Sequence, residues 1–339
     1  MKRIGLWLVL LALAFGLAAC GDKGETGAQS SPPSGSPSAS AAESQQPQAS
    51  ETSAAETKRT VYPLTVKDAT GTEFTFDKAP ARIVSTSVSE TEILFTIGLG
   101  DQVVGVSDYD NFPKEVESKP KMGGVTEPNA EAVLAANPDL VFAGISIKEE
   151  ALNKLRDLGL KVFRTDPANL DDVMNNILLF GQIGDRQEEA EKIVANMRED
   201  VRKVTEAAAK IKPEDRKKVY LEFSPGWTVG KGEFMDELIT MAGGVNIAGD
   251  TEGWNQINEE KIIKDNPDVI FYGADIVDDK SGKKLEDLIR GRSGWDKIKA
   301  VAENRLVGIN DDILSRPGPR LTEALLQLSE GIYPGMVGK

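Results

Sequence analysis

Histidine is absent from the 339 residues, and Cys20 is the one cysteine. The first absence removes the commonest general base and the commonest metal ligand. The second rules out a disulfide or a thiolate metal cluster within one chain. No spacing among the Asp and Glu residues marks out an acid–base pair. The stretch 226–231 (GWTVGK) falls short of a phosphate loop, with three residues between its glycines and Gly232 after the lysine. Non-covalent chemistry remains. Glu131 and Glu260 stand at matching places, each six residues before the Asn of an Asn-Pro-Asp triplet. Tyr109, Trp227 and Trp254 offer flat faces, and a tyrosine can also meet iron as a phenolate. Arg316 and Arg320 offer guanidinium forks that suit carboxylates.

These residues need a scaffold, and the apolar pattern supplies one. Residues 82–85 read as a buried strand, 90–97 as a helix and 103–106 as the next strand. The pattern continues with a strand at 140–143, a helix at 149–158 and a strand at 162–163. Such alternation with short connections predicts α/β layers with mainly parallel strands. Asn137-Pro138-Asp139 precedes one apolar run and Asn266-Pro267-Asp268 another, 129 residues later. In each, the Asn-Pro step ends a helix and a buried strand follows. That period is too long for a solenoid and suits two similar lobes. Between them 185–212 runs without Gly or Pro, with Ala190, Ile193, Val194, Met197, Val201 and Val204 at helical spacing. The expected fold is two Rossmann-like α/β lobes, 60–184 and 213–339, joined by one long rigid helix over 185–212. Open α/β sheets bind ligands outside the carboxyl ends of their strands, and Tyr109, directly after the 103–106 strand, stands there.

The amino terminus reads as an address. Lys2 and Arg3 precede an apolar run too short for a membrane span, and small residues follow it. Leu17-Ala18-Ala19-Cys20-Gly21 resembles the lipobox of bacterial lipoproteins. That resemblance implies a signal peptide over 1–19 and acylation of Cys20, which would hold the protein at the outer face of the cytoplasmic membrane or in the periplasm. The Ser/Pro/Ala-rich stretch over 20–59 cannot bury enough surface to order itself, so a tether is expected. About 38 such residues span ~35 Å root-mean-square. A net charge of −14 argues against a nucleic-acid partner.

From residue 60 to 335 the chain resembles the helical-backbone class of periplasmic binding proteins that serve cobalamin, heme and ferric-siderophore importers. The residues that carry the likeness are 82–113 (RIVSTSVSETEILFTIGLGDQVVGVSDYDNFP), 128–144, the repeated triplet and 253–271. The likeness implies capture without catalysis, no resident cofactor, and a monomer that delivers its cargo to an ABC permease dimer driven by an ATPase. It implies that Glu131 and Glu260 form salt bridges with permease arginines, Glu127 and Glu259 being their neighbours. It further implies that Tyr109 and Trp254 line the interlobe cleft. By its place in the chain Trp227 is a candidate for a loop facing that cleft, and Arg316 and Arg320, in the loop before the last helix, could meet ligand carboxylates, Arg320 equally serving only as a cap or structural pair. Ile313 and Leu314 depart from the bulky aromatics of a cobalamin-binding member. A corrinoid or a ferric siderophore is the expected cargo, and heme is the alternative. A lipid-anchored enzyme lacks a catalytic pair, and an adhesion module does not explain two duplicated lobes.

Overall fold

Apolar runs such as Leu-Val-Phe-Ala at 140–143 and Val-Ile-Phe-Tyr-Gly at 269–273 are buried along their whole length, as strands of a sheet covered on both faces must be. The computed structural model describes residues 58–338. The signal segment 1–19, Cys20 and nearly all of the 20–59 stretch lie outside the described residues. A hairpin, β1 (Leu64–Lys67) and β2 (Glu73–Phe76), leads into β3 (Ile83–Ser85), α1 (Val88–Thr96), β4 (Val103–Gly105), α2 (Ala130–Ala135), β5 (Leu140–Ala143), α3 (Glu149–Asp157) and β6 (Val162–Arg164). Two helices follow, α4 (Leu170–Ile183) and α5 (Gln187–Ala208). The second half holds β7 (Lys218–Glu222), β8 (Trp227–Val229), α6 (Phe234–Met241), β9 (Val245–Asn246), β10 (Trp254–Gln256), α7 (Glu259–Asp265) and β11 (Val269–Gly273). It closes with α8 (Leu285–Gly291), α9 (Lys299–Ala302), β12 (Leu306–Ile309), α10 (Asp311–Ser315) and α11 (Leu321–Ile332).

The two lobes have one topology. The first sheet has the order β4-β3-β5-β6 and the second β9-β7-β11-β12, and every neighbouring pair is parallel. The repeated triplet does the same work in both. Asn137 and Asn266 take left-handed backbone angles, φ 46° and 52°, which ends the helix before the proline. The following aspartate then staples the start of the lobe's first strand. Asp139 Oδ2 accepts from the backbone N–H of Ala81 (2.8 Å) and Arg82 (2.9 Å), and Asp268 Oδ2 from that of Lys218 (2.8 Å).

Strand alternation divides the core. Leu140 and Phe142 face the same apolar cluster as Val219, Leu221, Val269 and Phe271 of the other lobe. Val141 and Ala143 face a separate cluster with Leu152 and Leu155, while Tyr220 and Ile270 face a third around Trp295. The shared cluster is completed by Phe180 of α4, Val194, Met197 and Val204 of α5, and Leu325 and Leu328 of α11. Helix α5 packs on α4, α6 and α11, so it is bound to both halves. Its 22 residues, about 33 Å of helix, lie inside the expected 185–212. Glu237 of α6 also accepts the first N–H of α4, from Leu170, at 2.7 Å. The described residues fall within one compact unit, Ala55–Lys339, and no helix among them is long and apolar enough to cross a membrane.

Candidate functional site

Parallel strands place their carboxyl-end loops on one side of each sheet, and in a βαβ unit the following helix starts on that side. The loops after β3, β4, β5 and β6 therefore form one rim, and those after β7, β11 and β12, with the β8–β10 strand pair, form the other.

Tyr109 stands in the loop after β4 and is 65% exposed. A knot of polar contacts holds it there. Asp110 Oδ2 accepts from the N–H and the hydroxyl of Ser107, both at 2.7 Å, and the Tyr109 N–H donates to that hydroxyl at 3.3 Å. Lys121 Nζ donates to the carbonyls of Ser107 and Asp110, both at 3.2 Å. Burial pushes the Asp110 carboxyl above its ordinary value, against the hydrogen bonds from Ser107.

Trp254 and Trp227 lie on the same face of the antiparallel β8–β10 pair, because Trp254 pairs with Val229 and Gln256 with Trp227. They are 40% and 39% exposed. Trp254 is braced edge-to-face by Phe223 (centroids 4.9 Å apart) and Phe234 (6.2 Å). The strand pair depends on Gly230, where a Cβ would come within 2.4 Å of the Thr251 carbonyl oxygen.

Arg316 is held in an ion-pair network. Its Nη1 lies 2.8 Å from Glu92 Oε1 and 2.8 Å from Asn111 Oδ1, and its Nη2 lies 2.5 Å from Asp312. Arg320 forks onto the same Glu92 at 2.9 and 2.6 Å, with its guanidinium 4.1 Å from the centre of the Phe112 ring. Asn111 Nδ2 donates to Asp312 at 2.9 Å. Glu92 and Asn111 belong to the first lobe, Asp312, Arg316 and Arg320 to the second, so the network fastens the rims together. Sequence reading missed Glu92. Its signal is two acids, Glu90 and Glu92, inside the helix start SETEILF, and the structure buries both.

Glu90 sits beneath the first rim. Thr165 Oγ1 donates to its Oε1, while Oε2 has no partner. Gly144 is required above it, since a Cβ there would be 2.3 Å from Ser87 Oγ and 2.7 Å from Glu90 Oε2. Among the described residues no group of three or more acidic or cysteine side chains is placed to hold a metal ion.

The glutamates of the repeat are both exposed. Glu131 is the second residue of α2, after cap Asn129, whose Oδ1 accepts from the N–H of Glu131 and of Ala132 at 3.1 Å. Glu260 is the second residue of α7, after cap Asn258, whose Oδ1 accepts from the Lys261 N–H at 3.0 Å. Their neighbours are engaged. Glu127 is ion-paired with Lys148, and Glu259 lies 3.9 Å from Arg292.

Residues 83–313 match the model of the family described as periplasmic binding protein. An uncharacterized ABC transporter substrate-binding lipoprotein, YvrC, of Bacillus subtilis is 34% identical over 340 residues, covering 98% of both chains. A cobalamin-binding protein of Halobacterium salinarum is 28% identical over 278 residues, 80% of this chain and 74% of its own. The crystal structure of a possible iron-binding (periplasmic solute-binding) protein from Staphylococcus epidermidis superposes with TM-score 0.64 at 32% identity, covering 76% of this chain and all of that one. Two lobes of one topology and this likeness along nearly the whole chain agree: the chain belongs to the periplasmic binding protein family, as a substrate-binding protein of an ABC importer.

Proposed function

We propose that the protein captures a metal chelate, a corrinoid or a ferric siderophore, between its two rims and hands it to a membrane permease. The observation that carries this reading is the set of exposed aromatic faces, Tyr109 on one rim with Trp227 and Trp254 on the other. A ring held edge-to-face, as Trp254 is, presents flat apolar area at little entropic cost, which suits a planar macrocycle or a hydroxamate shell. The chelate brings its own metal ligands. Glu131 and Glu260 dock on the permease, whose ATPase powers release, and the protein acts as a monomer. Acylated Cys20 holds it to the membrane, and loss of palmitate labelling in Cys20→Ala tests that.

The cargo is tested by titrating the 58–339 fragment with cobalamin, a ferric hydroxamate siderophore and hemin, following tryptophan fluorescence with inner-filter correction. Saturable quenching by cobalamin alone makes it a corrinoid receptor. A response to the siderophore or to hemin moves the cargo to iron. Silence with all three rejects the chelate reading.

A further inference from the structure

Resting on that reading, the interlobe network says what charge the cargo can carry. Arg316 and Arg320 are the two guanidinia that the chain brings to the second rim after β12. The side chains of Arg316 and Glu92 are 10% and 2% exposed. Both Arg316 Nη1 and Arg320 Nη2 bond Glu92 Oε1, Arg320 Nε takes Oε2, and Asp312 takes the remaining side of Arg316. Two guanidinia meet two carboxylates, so the network's net charge is zero and its forks are filled. A ligand carboxylate arriving here would have to displace a buried, multiply bonded glutamate.

The surroundings reinforce this. Asn111, which bonds both Arg316 and Asp312, is two residues from Tyr109. Asp166 after β6 and Glu233 before α6 belong to opposite lobes. Burial raises the Glu233 carboxyl above its ordinary value, and the charge of Asp166 raises it further. Lys231, just after β8, is exposed to solvent.

We infer that Glu92, with Asp312, sets the charge selectivity of the cleft by neutralising Arg316 and Arg320, so that it accepts neutral or cationic chelates and rejects those with free carboxylates. Asp166 is already paired with Arg164 at 3.2 Å, so Glu233 is the acid of the two without an ion pair; a like charge brought against such a carboxylate is an established means of discrimination.

The test uses three scaffolds, each with and without a carboxylate: cobalamin and its monocarboxylic acid, a ferric trihydroxamate amine and its succinylated form, hemin dimethyl ester and hemin. Affinities are measured by calorimetry on the 58–339 fragment of the wild type, Glu92→Gln and Asp312→Asn. For whichever scaffold binds, the wild type should favour the uncarboxylated member by about tenfold or more. Either variant should shrink that ratio by about tenfold, because one guanidinium charge is uncovered. A merely structural role would change both members equally. Asp312→Asn, at a more exposed position, covers the case that Glu92→Gln does not fold. Equal binding of both members by the wild type overturns the inference while the chelate reading stands. So does an unchanged ratio in the variants. Silence from all three scaffolds overturns the chelate reading, and the inference with it.

Discussion

Glu131 and Glu260 occupy one position twice: each is the second residue of a helix that begins after an asparagine cap at the rim side of its lobe. Neither has an ion-pair partner among the described residues, whereas Glu127 does. Changing both to alanine should leave ligand affinity within about twofold yet lower uptake by about tenfold or more, since truncating one side of an interfacial charge pair costs about 2–5 kcal/mol. Glu127→Ala is the control and should leave uptake nearly intact. The readouts are calorimetry on the purified protein and radiolabelled uptake in cells. Affinity falling as sharply as uptake would sink the docking role.

Glu222 is buried and holds Arg292 in a fork at 2.5 and 2.6 Å, with the guanidinium 4.6 Å from the centre of the Trp295 ring. It also accepts the Gly226 N–H at 2.9 Å, which shapes the turn before Trp227. Glu222→Ala leaves a largely buried cation without its partner and should lower stability by about 3–5 kcal/mol in urea denaturation. A loss under about 1 kcal/mol would mean that Arg292 finds water.

Burial drives the Glu90 carboxyl above its ordinary 4.5, opposed by hydrogen bonds from Ser87 and Thr165 and assisted by Asp110. A folded-state value above the unfolded one means that the charged form is penalised by folding. The penalty is absent below about pH 4.5, where both states are protonated, grows as pH rises from there and levels off above the folded value. Glu90→Gln should therefore melt higher than the wild type at pH 8, and the gap should close towards pH 4. Thermal melts across that range check it, and a gap that widens on acidification would contradict the assignment.

Trp254→Ala removes the braced face of the second rim and should weaken ligand binding by about tenfold, while Trp254→Phe should recover part of the loss. Calorimetry is the measurement, because fluorescence loses its reporter. Unchanged affinity in the alanine variant would move the cleft wall elsewhere, with Trp227 the next residue to change.

Much of this architecture is legible locally. The buried runs at 140–143 and 269–273 declare strands, and the Asn-Pro-Asp triplet declares helix end, staple and strand start in each lobe. Glu131 and Glu260 follow from their offset to that triplet. The two-stranded sheet that puts Trp227 and Trp254 on one face is harder to see, because its strands are three residues each and α6 and β9 separate them. The interlobe network is invisible locally. Arg316 finds Glu92 across 224 residues, so a guanidinium that a motif reads as open to ligand is already filled. Pairings between distant charges depend on how two lobes face each other, which no local periodicity encodes.

The apolar cluster that joins both sheets through α4, α5 and α11 makes the two lobes one thermodynamic body. A cut in α5 would leave Phe180 and Met197 on one fragment without Leu325 and Phe271 of the other, and neither half could cover its inner face. Calorimetric melting of the intact protein should then give a single transition whose van't Hoff and calorimetric enthalpies agree. Movement of one rim against the other is then confined to what a shared interior can bend without opening.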